Sequence, residues 1–508
     1  MNVKHRACMN RRLYIIAAML CASLAASGQS YQRAIRRNFW NEGTNVVGIR
    51  QDTLSASNAE IYGNYITGEL RASSDAKSAW TAGVRASAIR HLKKFSMKGS
   101  FGFEQMEGQG MAGSMFVKQG YYPINVYEFT PGSKTLQTYS FTGGISVDIS
   151  PEWRLGGQML FESSNYAKRK DLRHTTYRMD MTVSPGVQYH NGDLAIGLNY
   201  IFSKNSESVS AEQIGSSVAS YDVFFDKGLY YGVRQIWTGS GVHLSEPGVN
   251  GLPLREIING VSVQASYGRA YADVSWRARY GTVGEKQFIW FRFPGWDLTA
   301  HAGFAFSGDR GSHRILATAE YFSQDNEETS LEKVSSGGVT TVEEFGACRI
   351  FSRRNMKASL TYDYASRMLN FSALLSMTDQ QGLVSNMYPY LMYQRLLQPY
   401  VEAKATGHFG RLDVTLMLSY RQGWMDDTMR EVSPSTGVTS EPERLESYFL
   451  KYREHMTCRN ITVAPAVKYN FGKGFYAEAS VRWNRGFNLV YFAGPDRTSA
   501  TLRLGYDF

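Results

Sequence analysis

The residue types best suited to chemistry are thinly spread in this chain. His174, His190, His301, His313 and His408 stand far apart, and no nucleophile-elbow serine or zinc-ligand spacing accompanies them. Covalent catalysis needs a nucleophile, a base and a group that orients the base. No catalytic residue is therefore assigned, and the lone histidines read as hydrogen-bonded structural residues. The acidic runs Asp325, Glu327, Glu328 and Asp426, Asp427 offer oxygens for calcium, but neither contains a complete ligand set. No enzyme activity, metal or cofactor is expected. Cys348 and Cys458 fall in expected external loops and could pair as a disulfide after export through an oxidising compartment.

The side chains that remain are charges and aromatics, and they recur with a period of two. Ala500, Leu502, Leu504, Tyr506 and Phe508 share one face of the last segment, with Thr501, Arg503, Gly505 and Asp507 on the other. The same division holds for Phe475 to Asn484, Leu412 to Arg421, Ala272 to Tyr280 and Phe141 to Ile149. Period two with one apolar face is the signature of a strand between two different solvents. By this alternation the wet face carries Arg85, Lys98, Asp148, Arg154, Arg178, Asp180, Asp273, Arg277, Arg279, Arg421, Glu478, Arg482 and Arg503. Charges of both signs on that face could set up a transverse field that orients polar solutes, or could form an ion-paired wall.

Arg11 and Arg12, the apolar run Leu13 to Ala26 and then Ala26-Ser27-Gly28 read as a secretory leader, residues 1–28, with cleavage before Gln29. Losing Lys4, Arg6, Arg11 and Arg12 lowers the formal charge from +10 to +6, too balanced for a nucleic-acid partner. The mature chain has no apolar run near the length of a membrane-crossing helix, and its mean hydropathy is −0.33. Short alternating strands cross a bilayer with just such a low average. Short turns fall near His91–Lys94, Pro151-Glu152, Asn191-Gly192-Asp193, Gly268-Arg269, Gly308–Ser312, Ser366-Arg367, Gly410-Arg411 and Gly472-Lys473-Gly474. The connections between them are mostly long: 108–137, 205–256, 324–355, 379–399 and 423–459. The reading is an all-β protein: a transmembrane, antiparallel, up-and-down β-barrel of about 18 strands, with long extracellular loops and short periplasmic turns. The barrel spans residues 59–508, after an N-terminal segment, 29–58, that lies either in the periplasm or in the lumen.

A soluble sandwich also alternates, but it does not place tyrosines repeatedly at strand ends, as at Tyr189, Tyr200, Tyr267, Tyr280, Tyr362, Tyr420 and Tyr469. The aromatic girdles of a bilayer-spanning barrel do. Leu504, Tyr506 and the final Phe508 look like the signal read by the barrel-assembly machinery during biogenesis in a Gram-negative outer membrane. Phe39-Trp40-Asn41-Glu42, then Asn45, Gly48 and Asp52, followed by the first tyrosine-rich strand, resembles the start of a Bacteroidota outer-membrane β-barrel family catalogued as domain of unknown function 6850. The resemblance implies location and fold over the mature chain and brings no catalytic residue.

Function is then a matter of the lumen and the loops. A barrel this wide leaves an aqueous lumen unless something fills it. The loop 206–256 is long enough to fold inward, and Arg33, Arg36 and Arg37 could hold the N-terminal segment inside. Tyr221, Phe224, Tyr230 and Trp237, then Trp290 and Trp296, then Tyr390 are candidate aromatics for a ligand or partner, or loop residues that pack on one another. The expected function is a porin-like channel, or the barrel component of an uptake assembly for a polar solute. The alternative is a non-conducting barrel that docks outer-membrane or periplasmic partner proteins.

Overall fold

A computed structural model describes residues 31–212, 220–238, 252–285, 288–336, 339–387, 390–431 and 443–508. The expected leader, residues 1–28, lies outside the described residues. The first seven strands are β1 (Ala56–Gly68), β2 (Ser78–His91), β3 (Phe95–Ser114), β4 (Asn125–Asp148), β5 (Trp153–Lys168), β6 (Arg173–Asn191) and β7 (Leu194–Glu212). β8 (Ser220–Gly228) and β9 (Tyr231–Thr238) form an inserted hairpin. β10 (Leu252–Tyr267), β11 (Ala270–Glu285), β12 (Phe288–Gly308), β13 (Gly311–Ser336), β14 (Val339–Ala365), β15 (Leu369–Met387) and β16 (Tyr390–Phe409) resume the wall. β17 (Leu412–Arg421) and β18 (Trp424–Glu431) both pair with β16, as one wall strand interrupted at Gln422-Gly423. After β19 (Glu443–Arg444) and a helix, Glu446–Thr457, come β20 (Arg459–Gly472), β21 (Phe475–Phe487) and β22 (Asp496–Asp507).

Neighbouring wall strands are antiparallel, and β7 pairs directly with β10 across the inserted hairpin. β22 returns to β1, with Asn58 opposite Asp507 and Gly68 opposite Arg497. Ser57 and Phe508 exchange both backbone hydrogen bonds, at 2.8 and 2.9 Å, so the final residue seals the seam. The result is a closed barrel of 18 strands. Closure leaves no wall edge within a bilayer, where an unpaired amide costs several kcal/mol.

The burial pattern is inverted relative to a soluble protein. On β10, Ile257, Val261 and Val263 are about half exposed, while Glu256, Ser262 and Gln264 between them are 1%, 0% and 0% exposed. Elsewhere Phe101, Val147, Leu198, Trp276, Leu360, Leu416 and Leu504 also face outward. An exposed apolar belt around a closed wall requires lipid as its solvent, and the architecture is that of an outer-membrane barrel. At the tight turns, Gly192 (φ +57°) and Gly268 (φ +54°) take the left-handed conformation that two-residue hairpins demand.

The expected long loops differ in form. Most of 324–355 is strand, β13 and β14 running to Ser336 and Val339, and much of 379–399 likewise. The first strand begins at Ala56, three residues before the expected barrel start at residue 59. Backbone ladders continue where side chains no longer alternate, because ladder hydrogen bonds need no apolar face.

Candidate functional site

The predicted charges lie on the inner face of their strands, where opposite signs meet. Arg178, 2% exposed, reaches Glu162 at 3.0 Å, Asp180 at 2.8 Å and Glu207 at 3.8 Å. Arg279 holds Glu256 at 3.0 Å and Asp297 at 3.7 Å, and Arg277 also pairs with Asp297. Arg154 meets Asp148 at 3.1 Å, Arg503 meets Glu478 at 2.7 Å and Arg85 meets Glu104 at 3.4 Å. Asp273 accepts from Ser262 Oγ at 3.0 Å and from Tyr271 OH at 3.2 Å. Arg421 donates to the His455 carbonyl at 3.0 Å. Lys98 lies beside Gly144, and Arg482 lies between the outward-facing Val481 and Trp483. Contacting pairs cancel much of each other's field, so the geometry is that of an ion-paired wall.

The outer half of the lumen is filled by folded-in loops. Residues 115–124 turn inward and are pinned by the wall charges. Tyr121 OH donates to Glu256 at 2.5 Å and accepts from Arg279 at 3.0 Å, while Tyr122 OH donates to Asn205 at 2.7 Å. Burial beside these carboxylates pushes both phenols far above their ordinary range. Arg353 donates to the Gly120 carbonyl at 2.6 Å and to Gln324 Oε1 at 2.5 Å. The inserted hairpin extends this layer, Val223–Asp226 on β8 pairing with Asn125–Glu128 on β4. Val223, Phe224, Phe225, Tyr230 and Tyr231 form one core with Phe291, Phe293, Phe351 and the helix residue Phe449. Phe225 stacks on Phe291 at 5.4 Å, and Arg444 covers Phe449 at 3.4 Å. At about 2 kcal/mol for each of those five hairpin side chains, lifting the hairpin costs roughly 10 kcal/mol as an upper estimate. Among the described residues this layer occupies the outer mouth.

These contacts settle where the candidate aromatics sit. Phe224 and Tyr230 are core residues, and Tyr221 and Trp290 pack against the same core. Trp296 is a correction: it belongs to β12 rather than a loop, and faces outward against Tyr321 at 4.8 Å. Trp237 and Tyr390 lie at strand ends, and their side chains are outside the described residues. The cysteines are a second correction. They form no disulfide with each other: Cys348 is exposed on the β14 extension, and Cys458 is buried, its thiol turned onto the His455 carbonyl at 3.5 Å at the end of the helix. Leu504 is exposed on the outer face of β22, while Tyr506 packs between Phe475 at 4.4 Å and Phe508 at 5.3 Å.

At the short-turn end, the segment ahead of β1 forms a floor inside the barrel. Asn38 caps the turn Phe39–Glu42 by accepting from Trp40 N, and Asn45 caps the 3-10 turn Val46–Gln51 by accepting from Val47 N. Phe39, Trp40, Val46, Val47 and Ile49 are buried. Trp40 Nε1 donates to Ser266 Oγ at 3.0 Å, Thr44 to Ser262 at 3.0 Å and Asn45 Nδ2 to the Val187 carbonyl at 3.3 Å. Arg50 donates to Asp148 at 3.1 Å and to the Leu92 carbonyl at 2.8 Å, and Glu42 pairs with Arg314. Inward-facing glycines make the seat. A Cβ at Gly144 would lie 2.6 Å from Val46, at Gly186 2.4 Å from Asn45, at Gly197 2.9 Å from Asn45 and at Gly303 2.6 Å from Phe39. Strand alternation alone did not single out these glycines; the signal was small residues at wet-face positions of four different strands.

Among the described residues no cluster of His, Cys, Asp and Glu could hold a metal ion. The family model described as "Family of unknown function (DUF6850)" matches residues 46–508. No curated protein matches the chain. Among solved structures the chain is similar to the FpvA of P. aeruginosa bound to pyoverdines (9% identity, 89% of this chain and 72% of that chain, TM-score 0.37). It is similar also to BauA, the ferric preacinetobactin receptor of Acinetobacter baumannii (7%, 90% and 80%, TM-score 0.41), and to OccAB4 of the same organism (9%, 90% and 99%, TM-score 0.33). At these identities the likeness is one of fold alone.

Proposed function

The chain belongs to DUF6850, a family of unknown function, and from that premise we propose that it is the barrel component of an outer-membrane uptake system for a polar solute, closed at rest by its own loops. The observation that carries the reading is the contrast between the two halves of the lumen. The outer half holds one apolar core built from inward-folded loops. The wall nearer the short turns is polar, with Glu402, Lys404, Ser419, Glu478 and Arg503 on its inner face. A barrel that only anchored something would gain nothing from tethered loops closing a polar lumen, whereas an uptake barrel needs a closed mouth above a wettable path. In this reading the leader directs export, Leu504, Tyr506 and Phe508 engage the assembly machinery, and residues 31–52 are the periplasmic floor that a partner protein displaces.

The test is single-channel conductance in a planar bilayer. Wild type is expected to be silent, and a chain that lacks residues 31–52 and has residues 115–124 and 220–238 replaced by Gly-Ser linkers to show stable steps. Silence from the folded, inserted replacement overturns the uptake reading. One observation favours a docking barrel instead: among the described residues, β14 above Phe351 pairs with β13 alone. The edge of 339–347 thus offers backbone groups to an extended partner strand.

A further inference from the structure

A cavity of about 440 Å³ lies beneath the loop core, against the wall of β14–β16. It falls within the ordinary size range of a small-ligand pocket, roughly 300–1,000 Å³. Its wall side carries Asn355, Gln380 and Gln394, and its roof carries Gln119 and the rings of Tyr127 and Tyr230. Arg353 and Asp226 also reach the cavity: Arg353 donates to the Gly120 carbonyl and Gln324, its Nε keeping no partner among the described residues, and Asp226 accepts from Gly228 N at 2.8 Å. Most of the uncommitted capacity lies with the neutral groups. Asn355 and Gln380, both half-buried, make no side-chain hydrogen bond among the described residues. Gln394, 5% exposed, has among the described residues only the Met425 thioether as acceptor, at 3.1 Å, and sulfur accepts weakly.

A carboxamide offers a donor and an acceptor side by side, the pattern presented by a vicinal pair of hydroxyls, and tyrosine rings give a flat apolar face for C–H groups. We infer that this cavity binds a neutral polyhydroxylated solute of mono- to disaccharide size, through Asn355, Gln380 and Gln394. The inference rests on the uptake reading and names its substrate class. The three carboxamides carry no charge to offset the hydration that an ion would lose on entering.

The test is saturation-transfer NMR on the folded full chain in detergent, with glucose, sucrose, maltose and lactose as probes and glucuronate and glucosamine as charged counterparts. Saturation of the neutral sugars is expected, with affinity at least tenfold weaker in Asn355→Ala/Gln380→Ala. Since neither side chain holds a protein partner, the double variant should keep its fold, checked by heat-modifiable gel mobility. Absence of transfer to all four neutral sugars overturns the inference. So does unchanged binding in the double variant, or binding of the charged sugars as strong as their neutral parents. Sugar binding with a non-conducting loop replacement would instead sink the uptake reading alone.

Discussion

Gly303→Ala is the sharpest probe of the lumenal floor. Gly303 faces inward from β12, and a Cβ there would lie 2.6 Å from Cε1 and Cζ of Phe39 and 2.9 Å from Cδ1. The ring has little room to yield, being stacked on Tyr271 at 5.4 Å and covered by the Arg314 guanidinium at 4.4 Å. β12 is hydrogen-bonded on both sides, to β11 and β13, so the wall holds and the floor moves. Overpacking of this kind costs about 1–3 kcal/mol. At about 1.4 kcal/mol per factor of ten, the released population of the floor rises roughly 5- to 150-fold. Hydrogen-exchange mass spectrometry on the full chain reads this directly. Exchange should accelerate across residues 38–52 and stay unchanged along the β12 ladder. Gly63→Ala, whose Cβ would meet nothing within 4 Å, is the control and should change neither. Unchanged exchange over 38–52 in folded Gly303→Ala would refute the seating argument.

Arg178→Met leaves the Glu207 carboxylate, 1% exposed, without its guanidinium. Breaking a buried pair from one side costs about 3–5 kcal/mol, so the temperature at which the fast-migrating gel band disappears should fall. Adding Glu207→Gln should restore part of it; an unshifted transition in the single variant would count against a stabilising wall network. The outer closure should also depend on pH. Burial raises the Asp226 carboxyl from 3.8 to about 7, so its contribution is complete below about pH 4 and is lost as pH rises through 7. Burial lowers His455 from 6.5 to about 4, so its contribution is present above pH 6.5 and is lost as pH falls through 4. Exchange of the 220–238 hairpin should therefore quicken, relative to Asp226→Asn, as pH rises from about 4 to about 7 and level off above that. An identical profile in the two proteins would remove the assignment.

Much of the fold was legible in the sequence because a barrel wall is a local code. Each strand must present alternate residues to lipid, so Leu412 to Arg421 or Ala500 to Phe508 declares its two faces without reference to any neighbour. Turn glycines such as Gly192 and Gly268 mark the short end equally locally. Where the ladder outlasts the alternation, as at Thr329–Ser336 in β13, side chains carry no such record and strand reads as loop. The aromatic loops were conspicuous, but composition cannot distinguish a ring offered to a ligand from one packed on another loop. Tyr230 meets Phe449, ring to ring at 6.2 Å, only because two segments more than 200 residues apart fold into the same mouth.

The sequence by itself determined the outward-facing apolar belt, the wet inner face, the approximate strand number and the end at which the short turns gather, since each follows from spacing within a single strand or turn. Only the tertiary structure decided what occupies that lumen. The floor is set by Phe39, Val46 and Asn45 meeting glycines of four distant strands, and the mouth by loops sharing one core. The carboxamide cavity gathers Gln119, Asn355, Gln380 and Gln394 from separate segments. Such contacts depend on which side chains the closed barrel brings across its own diameter, a separation that no sequence period encodes.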